Sequence, residues 1–600
     1  MPINLYQLAL VEFHQKNWPK AQKNCHLILE KEPHHFEAIQ LLGLIAINTY
    51  SHRQAIDYLS KANELDPNNL PTLLQLGLAL CLDQQFQAGI AIFDQVIAID
   101  PRCATAYCDR GSAFKSIKDY PAAIDNYQIA LDIDPQNAVA HFNKGLTHFE
   151  LNEFELAIQC YLHAISFDPN YISAYINQGI AYRELQQYDK AIQCYSQALK
   201  INPDNAQAYF NMAVAFKDIK QFDAAISSYD IAIHFNPQLA AAYLNRGILL
   251  QDFRKFDAAI EDYNKVVELE PNLLDGYFNK STLLLSIGNY EEGWRLYESR
   301  LQKPYNLPLI QRLRKPQWTG IESLANKTIL LIAEQGLGDT IQFCRYIPLL
   351  AELGATVILQ VEQSLTCILT HLKGVSKVIT KENTLPAYDF YCLLMSLPFA
   401  FKTNLNNIPQ KIPYIHIDQN KINFWRQQIE RLPGPKIGLV WSGGHRPSQP
   451  HLWATHQRRD LPFKKIATLN IPEAQFFSLQ KGEPAESELP AKQLQYWNTL
   501  NFHNFSNKIT DFMDTAALIK NLDLIISVDT STAHLSGALG KPTWILNRYD
   551  SCWRWLLDTP QTPWYPSARL YRQQQFDRWD ELLIEVRSDL IEFSKAYHNN

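Results

Sequence analysis

At 600 residues with a formal net charge of −6, the chain is too long for one hydrophobic core and has no excess of positive charge with which to hold nucleic acid or an anionic membrane. Its 46% hydrophobic and 19% charged residues are those of a globular protein, and nowhere do the roughly 18 apolar residues of a membrane-spanning helix run together. Residues 1–15 lack a basic stretch followed by an apolar core, and the ten cysteines include no Cys-x-x-Cys pair. The expectation is therefore a cytoplasmic protein with no integral membrane segment, no disulfide framework and no metal site.

The first half repeats. Prolines stand at 33, 67, 101, 135, 169, 203, 237 and 271, each 34 residues after the last. A small residue recurs at the same interval from Gly43 to Gly247, and a second from Ala55 to Ala259. Four residues after the second small set comes a large ring: Phe93, Tyr127, Tyr161, Tyr195, Tyr229 and Tyr263. A small residue where two helices cross, with an aromatic filling the next groove, is what a stacked helix-turn-helix unit needs, and the Asp-Pro or Asn-Pro ends each second helix. Over residues 2–300 this resembles the tetratricopeptide repeat family, with eight regular units and a ninth, 274–300, that departs from the pattern at Ser281 and Gly293. The resemblance implies an α superhelix that binds a peptide or protein on its concave face. Asn143, Asn177, Asn211, Asn245 and Asn279 recur with the period. They form either a ladder for an extended peptide backbone or a row of bonds between neighbouring repeats.

At 304–324 the period stops and proline rises, marking a joint. Short apolar runs then alternate with helical stretches. Strands are expected at 328–333, 356–361, 377–380 and 390–394, a helix near 420–431, and a second set of strands at 436–441, 475–479, 524–528 and 543–546. Two α/β halves of this kind place ligands just beyond the carboxyl ends of their strands. Four turns fall there. The first, Ala-Glu-Gln-Gly-Leu-Gly-Asp at 333–339, offers Gly338 for close approach and Asp339 as a helix cap or a general base. The second carries Ser442, Gly443 and Arg446, the third Lys481, and the fourth Asp529, Thr530, Ser531, Thr532 and His534. Hydroxyls and free N–H groups converging at the fourth turn suit a diphosphate. Arg459, Lys481 and Arg554 are candidate counter-charges or plain surface cations. His534 is a donor contact or a buried histidine, and Trp553, Trp555 and Trp564 are expected in the core or the cleft wall.

Those motifs, with Ile-Gly-Leu-Val-Trp-Ser-Gly at 437–443, Phe-Ser-Leu-Gln-Lys at 477–481 and Trp-Arg-Trp-Leu at 553–556, resemble the heptosyltransferase-type glycosyltransferases of family 9. The whole chain resembles bacterial tetratricopeptide-repeat glycosyltransferases. The resemblance implies a GT-B fold of two Rossmann-like halves and inverting, metal-independent sugar transfer from a nucleotide-sugar co-substrate. Asp339 would be the base and Asp529, Thr530, Ser531, Thr532 and His534 the donor loop. Ser531 stands where that family has glycine, and the lysine it places after the first strand of the second half has no counterpart unless Arg459 or Arg446 replaces it. The implied domains are a repeat array at 1–303, a linker at 304–324, an acceptor-side half at 325–416 and a donor-side half at 417–600. The alternative is a non-catalytic repeat scaffold or nucleotide-sugar-binding protein with a degenerate transferase region.

Overall fold

The computed structural model describes residues 5–443, 459–557 and 559–599, and the chain separates into two compact units, Met1–Arg246 and Gly247–Asn600. The boundary falls inside the helix Ala240–Asp252. The first unit is built from antiparallel helix pairs, from Leu5–His14 with Trp18–Leu29 to Ala206–Asp218 with Phe222–Phe235. Glycine at the crossing is a packing requirement: a Cβ at Gly77, Gly111 or Gly145 would stand 2.6, 2.9 or 2.7 Å from the ring of Phe93, Tyr127 or Tyr161. Asn69, Asn137 and Asn205 cap their helices by accepting from the backbone N–H of Thr72, Ala140 and Ala208 at 3.1, 2.9 and 2.9 Å. The period is also written in the backbone. Lys16, Tyr50, Gln84, Lys118, Asn152, Gln186, Lys220 and Arg254 all have positive φ, and glycine takes the equivalent place only at Gly288. The 34-residue step thus puts the same left-handed residue into each tight turn.

The second unit opens with the last helices of the repeat pattern, Phe256–Leu269, Leu274–Ser286 and Tyr290–Tyr297. Two wholly parallel sheets follow. The first contains β1 (Thr328–Ile332), β2 (Thr356–Gln360), β3 (Val375–Ile379) and β4 (Phe390–Leu393) in the order β3-β2-β1-β4. The second contains β5 (Lys436–Val440), β6 (Gln475–Ser478), β7 (Phe502–Asn504), β8 (Leu524–Val528), β9 (Thr543–Asn547) and β10 (Ala568–Arg572) in the order β10-β9-β8-β5-β6-β7. The central strands are apolar runs because helices cover both faces, and the outermost strands, β7 and β10, are the two the sequence pattern did not reveal. Helices needed below are α1 (Leu337–Phe343), α2 (Gln419–Ile429), α3 (Phe512–Lys520), α4 (Ser531–Ala538) and α5 (Trp579–Asn599). No helix among the described residues is long and apolar enough to cross a membrane.

Tyr290, Trp294 and Tyr297 do not stop at the repeats. They share one core with Ile329 and Leu331 of β1, with Phe343, and with Trp553 and Trp564 from the connection between β9 and β10. Trp294 meets Trp553 edge-on at 5.1 Å, and the Trp564 indole N–H donates to the Tyr290 hydroxyl at 3.1 Å. The fully buried Arg300 continues the junction, donating to Glu298 at 2.6 Å, Glu334 at 3.0 Å and Ser396 at 2.9 Å. The segment 304–324 is partly ordered against the sheet: it contains the helix Leu307–Arg312, and the Trp318 N–H donates to the Tyr391 carbonyl at 2.7 Å. Between the two sheets, buried Arg345 donates to the Trp564 carbonyl at 2.7 Å and stands over the rings of Tyr414 and Tyr565.

Candidate active site

β1 ends at Ile332 and α1 begins at Leu337, with Gly336 as its cap residue; Asp339 Oδ2 accepts from the Gly336 N–H at 3.0 Å. The capping role is therefore present. On the other sheet β8 ends at Val528, Thr530 caps α4, and the Ser527 and Thr530 hydroxyls bond at 3.0 Å. These two turns meet. A Cβ on Gly338 would stand 2.7 Å from His534 Cδ2, so glycine here permits α1 to lie against α4. His534 cannot yield easily. It is 4% exposed, its Nδ1 bonds the Tyr565 hydroxyl at 3.0 Å, and its ring stacks on Trp555 at 5.1 Å. Its Nε2 lies 3.7 Å from Asp529 Oδ1.

A second contact, to the Trp553–Trp555 turn that follows β9, is ionic. Arg554 Nη2 donates to Asp339 Oδ1, while Nη1 reaches the Cys552 sulfur at 2.8 Å and the guanidinium lies 4.2 Å over Trp553. Burial alone would lower the Arg554 pKa, but Asp339, Cys552, Tyr297 and Asp529 around it raise it above the usual arginine value. Burial would likewise raise the Asp529 carboxyl. His534, with Arg459 and Arg554, outweighs that and holds it well below the carboxylate range. Tyr297, whose hydroxyl accepts from Gln335 at 3.0 Å, is pushed up to about 12 by burial.

Beside this ion cluster a cavity of about 270 Å³ opens at the carboxyl ends of β5, β6 and β8. Ser442, Gly443, Lys481, Thr530, Ser531 and Thr532 all line it, with Phe512 and Thr515 from α3. Asp339, Asp529 and His534 stand outside its lining. Ser442 Oγ donates to Asp460 at 2.8 Å, the Gly443 N–H to the same carboxylate at 2.9 Å, and the Ser442 N–H to Gln480 at 3.0 Å. Arg459 covers Gly443 and donates to the Asp529 carbonyl at 3.1 Å. Lys481 is held by Glu486 at 2.5 Å and the Ser506 carbonyl at 3.0 Å, so its charge is already matched. Asp460 adjoins Arg459 but lies in no motif, and Gln480, within Phe-Ser-Leu-Gln-Lys at 477–481, and Tyr565 carried no expected role. Arg446 lies outside the described residues.

The asparagine row is elsewhere and largely self-engaged. Asn143 donates to Ser112 of the preceding repeat at 3.4 Å, and Asn177 and Asn245 donate to carbonyls of their own helices at 2.8 and 2.9 Å. Lys217 also donates to Asn245, at 3.3 Å. Asn211 is buried with its amide nitrogen unpaired, and Asn279 is half-buried.

The tetratricopeptide repeat family matches residues 36–69, 138–171, 160–193, 206–238 and 240–273, and its TPR repeat form matches 111–152 and 179–220. The helix pairs are tetratricopeptide repeats. They support a role as a protein-interaction scaffold. Protein FlbA of Caulobacter vibrioides (strain ATCC 19089 / CIP 103742 / CB 15) is 27% identical over 337 residues, 52% of this chain and 54% of that protein. The chain thus spans about half the length of that relative. Among solved structures, YrrB, a TPR protein with an unusual peptide-binding site, is 21% identical over 31% of this chain and 97% of its own, with a TM-score of 0.27. The Cut9–Hcn1 hetero-tetramer of the APC/C is 16% identical over 44% of this chain and 52% of its own, with a TM-score of 0.35.

Proposed function

We propose that residues 325–600 are a GT-B glycosyltransferase that moves a sugar, with inversion, from a nucleotide-sugar to a protein or glycan acceptor recruited by the repeats. The acceptor hydroxyl would give its proton to Asp339 as its oxygen attacks the anomeric carbon, and the nucleoside diphosphate would leave on the opposite side of that carbon. The leaving charge would meet the N–H groups of Thr530, Ser531 and Thr532 at the start of α4, with Arg459 and Arg554 as counter-ions. One observation carries the reading: two strand-to-helix turns from separate parallel sheets meet where Gly338 lies against His534, with Asp339 bonded to Arg554 of the turn after β9, beside a cavity at the strands' carboxyl ends. Ligands of open parallel sheets gather at such places.

A second reading has its own support. Both oxygens of Asp339 are engaged, by the Gly336 N–H and by Arg554, as suits a residue that only holds the halves of a nucleotide-binding scaffold together. A panel of nucleotide-sugars, assayed for thermal-shift binding and for sugar release with wild type and Asp339→Asn, separates the two. Turnover lost and binding kept in the variant supports the base; a donor bound but never turned over by wild type supports the scaffold.

A further inference from the structure

We infer that Arg554 is a donor-operated switch on Asp339: it is the carboxylate's counter-ion while the donor site is empty and becomes the diphosphate's when a nucleotide-sugar enters, so Asp339 is released only in a loaded site. The inference rests on the transferase reading above and adds its regulation.

Four observations point this way. Asp339 lends one oxygen to the α1 cap and the other to Arg554, so its charge is matched within the protein. Arg554 is 9% exposed, yet its Nε has no acceptor and its Nη1 has only a thiol sulfur. A guanidinium with five donors in a fork is thus served by one carboxylate oxygen and one weak acceptor, and a phosphate would serve it better. Arg554 also belongs, after His534 and Arg459, to the charges that favour the ionised carboxyl of Asp529, the residue that opens the donor loop. Finally, the turn that carries Arg554 is strained and has space beside it. The turn Trp553–Trp555 ends at Leu556 with φ 54° and ψ −172°, a conformation that residues other than glycine rarely hold. Behind the segment lies a cavity of about 230 Å³ lined by Arg548, Cys552, Trp553 and Leu557 against Thr282 and Ser286. The charged and titratable groups around Arg554 are Asp339 on α1, Tyr297 at the end of the last repeat helix, Cys552 on its own turn and Asp529 after β8. Of these, Asp339 and Asp529 compete with a diphosphate for the cation.

The test is a double-mutant cycle on the full chain, with UDP, GDP, ADP and CDP titrated calorimetrically into wild type, Asp339→Asn, Arg554→Gln and the double variant. Whichever nucleotide binds wild type is expected to bind Asp339→Asn about five- to tenfold tighter, because the rival for Arg554 has gone. In the Arg554→Gln background the same asparagine should change the Kd less than about twofold. An unchanged or weaker Kd in Asp339→Asn overturns the switch. So does equal tightening in both backgrounds, since that is simple relief of charge repulsion. Should Arg554→Gln melt early, Arg554→Lys keeps the charge: coupling to Asp339 retained in that variant supports the switch, and coupling lost overturns it. If none of the four nucleotides binds wild type, the transferase reading and the switch fall together; nucleotide binding without coupling removes the switch alone.

Discussion

Gly338→Ala tests the meeting of the two turns most directly, because ordinary helix preference and the observed packing predict opposite signs. Within a helix, alanine is favoured over glycine by about 1 kcal/mol, so an unconstrained site would gain stability. Here the new methyl would stand 2.7 Å from His534 Cδ2, about 1 Å inside a normal carbon contact. The ring cannot swing away without breaking its 3.0 Å bond to the Tyr565 hydroxyl and its stack on Trp555. Overpacking a site this rigid costs about 2 to 3 kcal/mol, which leaves a net loss of about 1 to 2 kcal/mol after the helix gain. Over a unit as large as Gly247–Asn600 that is a fall in Tm of about 2 °C. Differential scanning calorimetry on wild type, Gly338→Ala, His534→Ala and the double variant resolves it: the penalty should largely vanish once His534 is truncated. A Gly338→Ala protein as stable as wild type, or a penalty unchanged in the double variant, would refute the argument.

Three further outcomes follow from buried polar groups. Tyr161, Tyr195 and Tyr229 bury hydroxyls without a hydrogen-bond partner, so phenylalanine at any of them should stabilise by about 0.5 to 1 kcal/mol in urea melts. At Tyr127 and Tyr263, whose hydroxyls bond Ser112 at 3.1 Å and Gln251 at 2.9 Å, the same change should destabilise. Asp514 accepts from Lys421 at 2.6 Å, Thr510 Oγ1 at 2.5 Å and the Trp425 indole at 3.3 Å, tying α2 to α3. Asp514→Ala should therefore cost about 3 kcal/mol on chemical denaturation, whereas Lys421→Met, at a 38% exposed side chain, should cost well under half of that. The depressed Asp529 carboxyl adds stability that is fully present above about pH 4, the unfolded value, and is lost as pH falls further. Asp529→Asn should flatten the fall of Tm below pH 4, and an acid limb as steep as wild type's would contradict the assigned charge environment.

The repeats were legible because proline, small residue and ring recur with one period, and each mark has a steric cause in the packing of Gly145 on Tyr161 and its equivalents. The central strands were legible as apolar runs; β8 spans 524–528 as expected and β1 ends one residue early. β7 and β10 escaped because Phe-His-Asn and Ala-Arg-Leu-Tyr-Arg mix polar and apolar residues as edge positions allow. Within the site, the turns could be found one by one because glycine, aspartate and hydroxyl residues mark helix starts. Their partnership could not. Asp339 and Arg554 are 215 positions apart, and nothing along the chain says which arginine will face which carboxylate. Lys481 shows the converse: its place after β6 puts it on the cavity wall as the pattern suggests, while its bond to Glu486, five residues on, could not be read from that place.

The aromatic junction at the last repeat has a bearing on how such a chain can be rearranged. Tyr290, Trp294 and Tyr297 belong by sequence period to the repeats and by burial to the α/β core. An expression fragment cut at residue 304 would leave Trp553 and Trp564 facing water, and one that kept only the repeats would carry an unfilled aromatic face at its end. Recombination that exchanges one array for another must therefore cross over upstream of these helices, so that the α/β region travels with its own final repeats while those nearer the amino terminus can be shortened, lengthened or replaced in steps of 34 residues.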